Sequence, residues 1–574
     1  MPQMRTRLRH VGMSSAFALV VAALAGAAWS ASPLPEAVER ASQTITAADL
    51  RAHLRFLASD ELQGRGTGHE GNELAELYLE SFFERLALER AAGASYRQPL
   101  ELYFTTLGAG SELVASERVH EAEVATRYAP GREFQPHAGS ASRVVTAGLV
   151  FAGYGITAPE YSYDDYAGLD EVARGRIVLA LDGEPGNDDP RSRFQGRAST
   201  PYAGIAHKIE NAKKHGVVGL LLVRNRLRDV KAAWPEQPSV RERDFQLASE
   251  VDRETLAIGY VSPDAADRLL ADGATPSDRK TAALRDRIGR ALESAGKPVN
   301  GVASFAVGPR QVRLAVDLTR ERVVVHNVLG MIVGDDPKFK DQIVVVGAHL
   351  DHDGIDSDGR VFNGADDNAS GTVGVLETAE AFAAAARSGR RPARTVVFAL
   401  WNAEEKGLLG SRYYAEHPVP SGSVVANLTL DMIGRNEEVP DPKDFRFRGL
   451  DKTSAEENAN SMHLLGYSYS PEFAEIVREE NAAVGLTIKE SLDVNPQNLI
   501  RRSDQWPFLL KRVPVAFFTT GLHPDYHTPQ DDVARINVGK LEKIARLAFR
   551  VTWRLATDAD LPDYVDAHAR RPTQ

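Results

Sequence analysis

The four residues Ile343-Val344-Val345-Val346 constrain this chain more than any other feature. β-branched side chains are stiff at χ1 and pack well on a pleated surface. A strand with one wet face alternates apolar and polar residues, whereas a continuous run suits a strand buried on both faces of a parallel sheet. Gln342–Ala348 is therefore predicted as such a strand, and Thr395–Leu400, Val424–Leu430 and Pro514–Phe518 read the same way. Helical patterns separate them at Ser370–Arg387, Leu408–His417 and Pro471–Val484, and a long amphipathic helix follows at Ile536–Ala556. The alternation predicts an α/β fold: a mixed, mostly parallel sheet flanked by helices.

That region is only part of 574 residues, a length that suggests two or three domains. Residues 70–88 place Ala75, Tyr78, Leu79, Phe82, Phe83 and Leu86 on one helix face. From about 143 the texture becomes β-rich and turn-rich, with runs at Arg143–Ala152, Arg176–Leu181 and Val217–Val223 and a helical stretch at Ala206–His215. It carries no dense cluster of ligand-type residues. A charge-rich stretch at 276–297 reads as a surface helix or linker. The expected division is 1–31 as a leader, 41–142 and 301–560 as two parts of one domain, and 143–300 as an insertion.

The leader is read from Arg5, Arg7 and Arg9, the apolar run Met13–Ala28, and small residues at Ala28, Ser30 and Ala31 ahead of Pro33. This is the layout of a secretory signal peptide, and the run is shorter than the roughly 20 residues of a spanning helix. Cleavage near 29–32 would leave an exported protein, periplasmic or extracellular, without a stable membrane span. The formal charge is −11, from 68 basic and 79 acidic residues, which argues against a nucleic-acid partner. No cysteine is present, so disulfides, thiolate metal sites and thiol catalysis are excluded.

In open α/β sheets, ligands bind beyond the carboxyl ends of the strands. There the sequence places His349-Leu350-Asp351-His352, then Asp366-Asp367 in a loop entering a helix. Asn402-Ala403-Glu404-Glu405, Leu430-Asp431-Met432 and His523-Pro524-Asp525-Tyr526-His527 follow the other three strands. Strand ends converge on a common rim, and several carboxylates gathered there would repel one another. A bound dication removes that penalty, and imidazole with carboxylate suits zinc or a similar divalent metal.

These motifs resemble peptidase family M28, the co-catalytic zinc peptidases that include bacterial aminopeptidases and glutamate carboxypeptidase. The likeness rests on His349-Leu350-Asp351, Gly364-Ala365-Asp366-Asp367-Asn368-Ala369-Ser370-Gly371, Asn402-Ala403-Glu404-Glu405, Leu430-Asp431-Met432 and Tyr526-His527-Thr528-Pro529. The stretch Leu57–Arg65 is similar to the family's lead-in. Phe151-Ala152-Gly153-Tyr154-Gly155 and Asp164-Asp165-Tyr166 resemble a protease-associated (PA) domain inserted in the middle.

The resemblance implies a zinc exopeptidase fold and two Zn2+ per chain. Asp367 would bridge the metals, with Glu405 and His527 completing one site and His349 and Asp431 the other. Glu404 would be the general base, Asp351 the carboxylate behind His349, and Tyr526 an oxyanion stabiliser. The substrates would be peptides or proteins, cleaved by an aminopeptidase. A carboxypeptidase on the same scaffold, a glutaminyl cyclase and a non-catalytic receptor are the alternatives.

Other residues are read structurally. Asp351, Asp353, Asp356 and Asp358 lack the register of a calcium-binding EF-hand loop. His352 is predicted to lie in a loop, His523 to be a lesser candidate than His527, and Ser370 to cap the helix that follows it. Gln505 stands where the family often has His.

Overall fold

The computed structural model describes residues 34–186, 192, 194, 200–224, 244–270, 304–447, 449–493, 495 and 497–565. The leader at 1–31 and the charged stretch at 276–297 lie outside the described residues. Among the described residues no helix is long and apolar enough to cross a membrane.

The larger of the two main sheets is mixed and has ten strands. Its main strands are β1 (Arg97–Leu107), β2 (Leu318–Ile332), β3 (Gln342–His349), β4 (Thr395–Trp401), β5 (Ser423–Leu430), β6 (Ser461–Leu465), β7 (Thr487–Lys489) and β8 (Val515–Thr519). Their spatial order is β1-β2-β4-β3-β5-β8-β6-β7, with Asp244–Leu247 outside β1. The four central strands β4, β3, β5 and β8 run parallel, and β2 and β6 turn the sheet antiparallel on either side of them.

The apolar runs are explained by burial on both faces. In β3, Val344, Val346 and Ala348 enter one core, while Ile343 and Val345 enter the other. β4 repeats the pattern, with Val396, Phe398 and Leu400 on one side and Val397, Ala399 and Trp401 on the other. Each fully buried side chain of this size contributes about 1.5–3 kcal/mol. Helices α1 (Glu70–Arg85), α2 (Gly371–Arg387) and α3 (Val538–Thr557) cover the first of these faces.

The chain leaves β3, forms α2 and returns as β4 on one side, then passes to β5 on the other side of β3. The carboxyl end of β3 is thus a topological switch point, where adjacent loops diverge and leave a crevice.

A second, eight-stranded sheet uses strands between Glu112 and Ala315, in the order 122–128, 112–119, 305–315, 144–151, 177–181, 219–223, 257–261, 134–136. It has apolar cores on both faces, one around Phe134, Leu179 and Leu221 and the other around Val178, Leu220 and Ile258. The strand Asp244–Leu247, from within this stretch of sequence, crosses to pair with β1 and ties the two sheets together.

Candidate metal centre

Each loop leaving the central strands presents chemistry to the crevice. His349 ends β3. β4 ends at Trp401, and a buried polar knot then turns the chain. Asn402 Nδ2 lies 2.9 Å from Asn72 Oδ1 and from Glu76 Oε1, and its Oδ1 accepts the Ala403 N–H. Ala403 is left-handed (φ 58°), as are Met432 (φ 56°) after β5 and His527 (φ 52°) after β8. Such non-glycine conformations cost of order 1–3 kcal/mol each and collect at functional sites. Here they aim Glu404, Asp431 and His527 into the cleft.

Asp367 stands at the centre. Its Oδ1 lies 3.3 Å from His349 Nε2 and its Oδ2 lies 3.0 Å from His527 Nε2. On the His349 side, Asp431 Oδ1 is 3.5 Å and Glu404 Oε2 3.9 Å from the same Nε2. On the other side, His527 Nε2 is 3.5 Å from Glu405 Oε2. Acid and imidazole atoms fall into three groups, each within 4.8 Å: His349–Asp367–Glu405, His349–Glu404–Asp431 and Asp353–Glu405–His527.

The loop bearing Asp367 is fixed from behind. The Asp531 carboxylate accepts the N–H groups of Asp366 and Asp367 at 2.9 and 3.0 Å. Asp366 Oδ1 accepts the Gly434 and Arg435 N–H groups, and its Oδ2 lies 3.2 Å from His523 Nε2. His523 thus sits beside Asp366 and outside the groups around Asp367. Helix α2 is capped by Asn368, whose Oδ1 accepts the Gly371 N–H at 2.8 Å; the Ser370 hydroxyl donates to the Asp366 carbonyl instead.

The relation of Asp351 to His349 differs from the sequence expectation. His349 Nδ1 lies 3.1 Å from the Asp351 backbone carbonyl and 4.0 Å from its carboxylate. The carboxylate is taken up elsewhere, accepting the Glu404 N–H and the Thr67 hydroxyl, both at 3.0 Å. It therefore positions the backbone of Glu404. Tyr526 lines the cleft, and its hydroxyl accepts from Arg502 Nη2 at 2.9 Å. Gln505 is buried and donates to the Ile500 carbonyl.

Several residues of the centre escaped the sequence reading. His352 is fully buried, with Nδ1 2.8 Å from Glu405 Oε1. Asp353 Oδ2 lies 3.1 Å from His527 Nδ1, on the ring edge away from Asp367. Asp356 is spent on a turn closed by Arg360, so the acids of this stretch do not converge on one ion. Arg65, also buried, donates to the carbonyls of Leu57, Leu350, Asn363 and Gly364, joining the N-terminal segment to both sides of the Asp367 loop. Gly64 beside it is left-handed (φ 64°), and a Cβ there would fall 2.4 Å from the Gly354 carbonyl oxygen.

The electrostatics follow from crowding buried acids. Burial raises the Glu404 carboxyl well above the usual carboxylate range, and Glu405, Asp504 and Asp431 push it the same way against the pull of His349. Burial alone would lower the His349 imidazole, but the facing Glu404 and Asp431 carboxylates hold it well above its ordinary value. Burial would likewise raise Asp367, yet hydrogen bonds from His349 and His527 hold it well below the ordinary range. Burial raises the Tyr526 phenol, which keeps its proton.

These side chains fit divalent metal ions. The donors are imidazole and carboxylate in three overlapping groups, and Asp431 Oδ1 is buried without any hydrogen-bond donor. A dication among them would satisfy that oxygen and relieve the mutual repulsion of the acids.

The acid–imidazole basin thus lies at the switch point of the α/β sheet. Residues 327–552 match Peptidase family M28. An aminopeptidase of Pseudomonas aeruginosa is 37% identical over 139 residues, 24% of this chain and 23% of the relative. A probable glutamate carboxypeptidase of Arthroderma benhamiae is 31% identical over 144 residues, 24% of this chain and 18% of the relative. The match thus spans less than a quarter of these curated relatives. Among solved structures, an aminopeptidase from Aneurinibacillus sp. strain AM-1 is similar at 19% identity, covering 91% of this chain and 97% of that one, with a TM-score of 0.49.

Proposed function

We propose that this protein is an exported di-zinc peptidase that removes N-terminal residues from peptides. The observation that carries the reading is Asp367, whose two oxygens face His349 on one side and His527 on the other at 3.3 and 3.0 Å. That is the disposition of a bridging carboxylate. His349 and Asp431 would hold one zinc and Glu405 and His527 the other.

Zinc bound there supplies Lewis acidity to a water molecule and to the scissile carbonyl. Glu404 acts as general base: it accepts the proton of the attacking water and returns it to the leaving amine. The Asp351 carboxylate fixes its backbone N–H at 3.0 Å. Tyr526, still protonated, is available to donate to the developing oxyanion.

The second sheet is proposed as a separate PA-like lobe that shapes access and gives no metal ligand. Among the described residues, the acid–imidazole groups contain none from this lobe, neither His207 nor His215. The fungal relative named a probable glutamate carboxypeptidase favours a second reading, a carboxypeptidase with the same centre. Assay of free and N-blocked peptides side by side, with and without a chelator, decides between them. Chelator-sensitive loss of the first residue supports the aminopeptidase; cleavage of N-blocked peptides at the C-terminus supports the alternative. No chelator-sensitive hydrolysis of either set would contradict both.

A further inference from the structure

The proposed chemistry leaves two residues of the cleft without a task. The cleft, about 450 Å3, is lined by Asp367, Glu404, Glu405 and Asp431, and also by Arg501 and Arg502. Two dications would balance those four acids, and Arg501 and Arg502 are the other charged side chains lining the cleft. Among the described residues no carboxylate forms an ion pair with either guanidinium. Arg501 is half-buried, lies 4.8 Å over the Trp506 ring and gives no side-chain hydrogen bond within the described protein. Arg502 is exposed; it donates to the Tyr526 hydroxyl and lies 5.7 Å from the centre of that ring. Glu184 of the second-sheet lobe is within charge range of Arg501, but its oxygens accept the Thr200 N–H and hydroxyl.

A guanidinium is always charged and presents a planar fork of donors that matches a carboxylate. Packing on Trp506 and Tyr526 limits the motion of both side chains, which lowers the entropy lost when a ligand binds. We infer that Arg501 and Arg502 hold a substrate carboxylate, so that the protein prefers peptides bearing one close to the scissile bond. The inference rests on the peptidase reading. The carboxylate has two sources: an acidic side chain on the N-terminal residue, or the terminal α-carboxylate of a very short peptide.

Two substrate pairs separate the sources: glutamyl against glutaminyl p-nitroanilide, and leucylglycine against its amide. The zinc-replete wild type is expected to favour the carboxylate in at least one pair by roughly tenfold or more in kcat/KM, the scale of one charged hydrogen bond. Arg501→Ala and Arg502→Ala should bring that ratio towards one, mainly through KM, and Arg501→Lys should keep part of it. A wild-type ratio of one or below in both pairs, or a ratio unchanged by both alanine substitutions, overturns the inference. Calorimetric titration of glutarate into the zinc-loaded protein gives a second readout. Binding should weaken by roughly tenfold or more when both arginines become alanine; equal affinity contradicts the site. If no substrate is hydrolysed the peptidase reading fails, and the glutarate titration alone then decides whether the carboxylate site exists.

Discussion

His527 and Asp353 are paired across the edge of the basin, with Nδ1 and Oδ2 3.1 Å apart while Nε2 of the same ring faces Asp367 at 3.0 Å. A carboxylate behind a ligating imidazole fixes its tautomer and raises its basicity. Asp353→Asn keeps the shape and removes the charge. Zinc affinity at the Glu405–His527 position is expected to fall by about 10- to 100-fold. Competition with a chromophoric chelator measures it, and an unchanged Kd would show that Asp353 contributes only to the surface.

Arg65 links Leu57, Leu350, Asn363 and Gly364 through four carbonyl contacts from one buried guanidinium. Lysine cannot reproduce the fork. Arg65→Lys should strand several buried acceptors, each costing about 1–3 kcal/mol. Chemical denaturation should show a loss of at least about 2 kcal/mol, with zinc affinity also weakened because the Asp367 loop loses its anchor. Wild-type stability in this variant would deny Arg65 that role.

How much of this was legible in the sequence divides along physical lines. The central strands were legible because residues such as Val344, Val345, Phe398 and Ala399 are buried on both faces and read as unbroken apolar runs. The sheet's antiparallel flank was not: β1 mixes buried, half-buried and exposed residues, and its partner β2 lies more than 200 residues away. His349, Asp367, Glu404, Glu405, Asp431 and His527 could be gathered because each follows a central strand, and the structure brings all six to one cleft. Their supports could not. Asp353, Asp531 and three of the four Arg65 contacts join residues 164–299 positions apart, and only the folded chain places them there.

The second-sheet lobe should be sensitive to acid. Burial, with Arg224 nearby, pushes the His137 imidazole down to about 4, and the Gly139 N–H donates to its Nδ1 at 3.1 Å. The folded pKa lies below the unfolded value, so the unfolded chain binds more protons in between. This stability is present above about pH 6.5 and is lost as the pH falls towards 4. Asparagine can accept the same N–H without titrating. Denaturation followed between those pH values should show a smaller loss in His137→Asn than in the wild type; parallel curves would exclude His137 as a source.

Metal should stabilise the folded chain as well as serve its chemistry. Ions that bind only the native state add about 2.7 kcal/mol at a free concentration roughly 100 times Kd. Chelation should lower Tm and abolish hydrolysis, and zinc should restore both with about two equivalents bound. One equivalent at full activity would contradict the bridging role of Asp367.

The most direct test concerns the division of labour between Glu404 and Glu405. Glu404→Gln should retain both zinc ions by elemental analysis and lose about 10²–10⁴-fold in kcat with little change in KM, because the amide matches the carboxylate in size and cannot take the proton. Glu405→Gln should instead bind zinc weakly and recover part of its activity in excess zinc. A Glu404→Gln protein that lost a metal ion and regained wild-type turnover once zinc was restored would contradict the account, and the two glutamates would exchange roles.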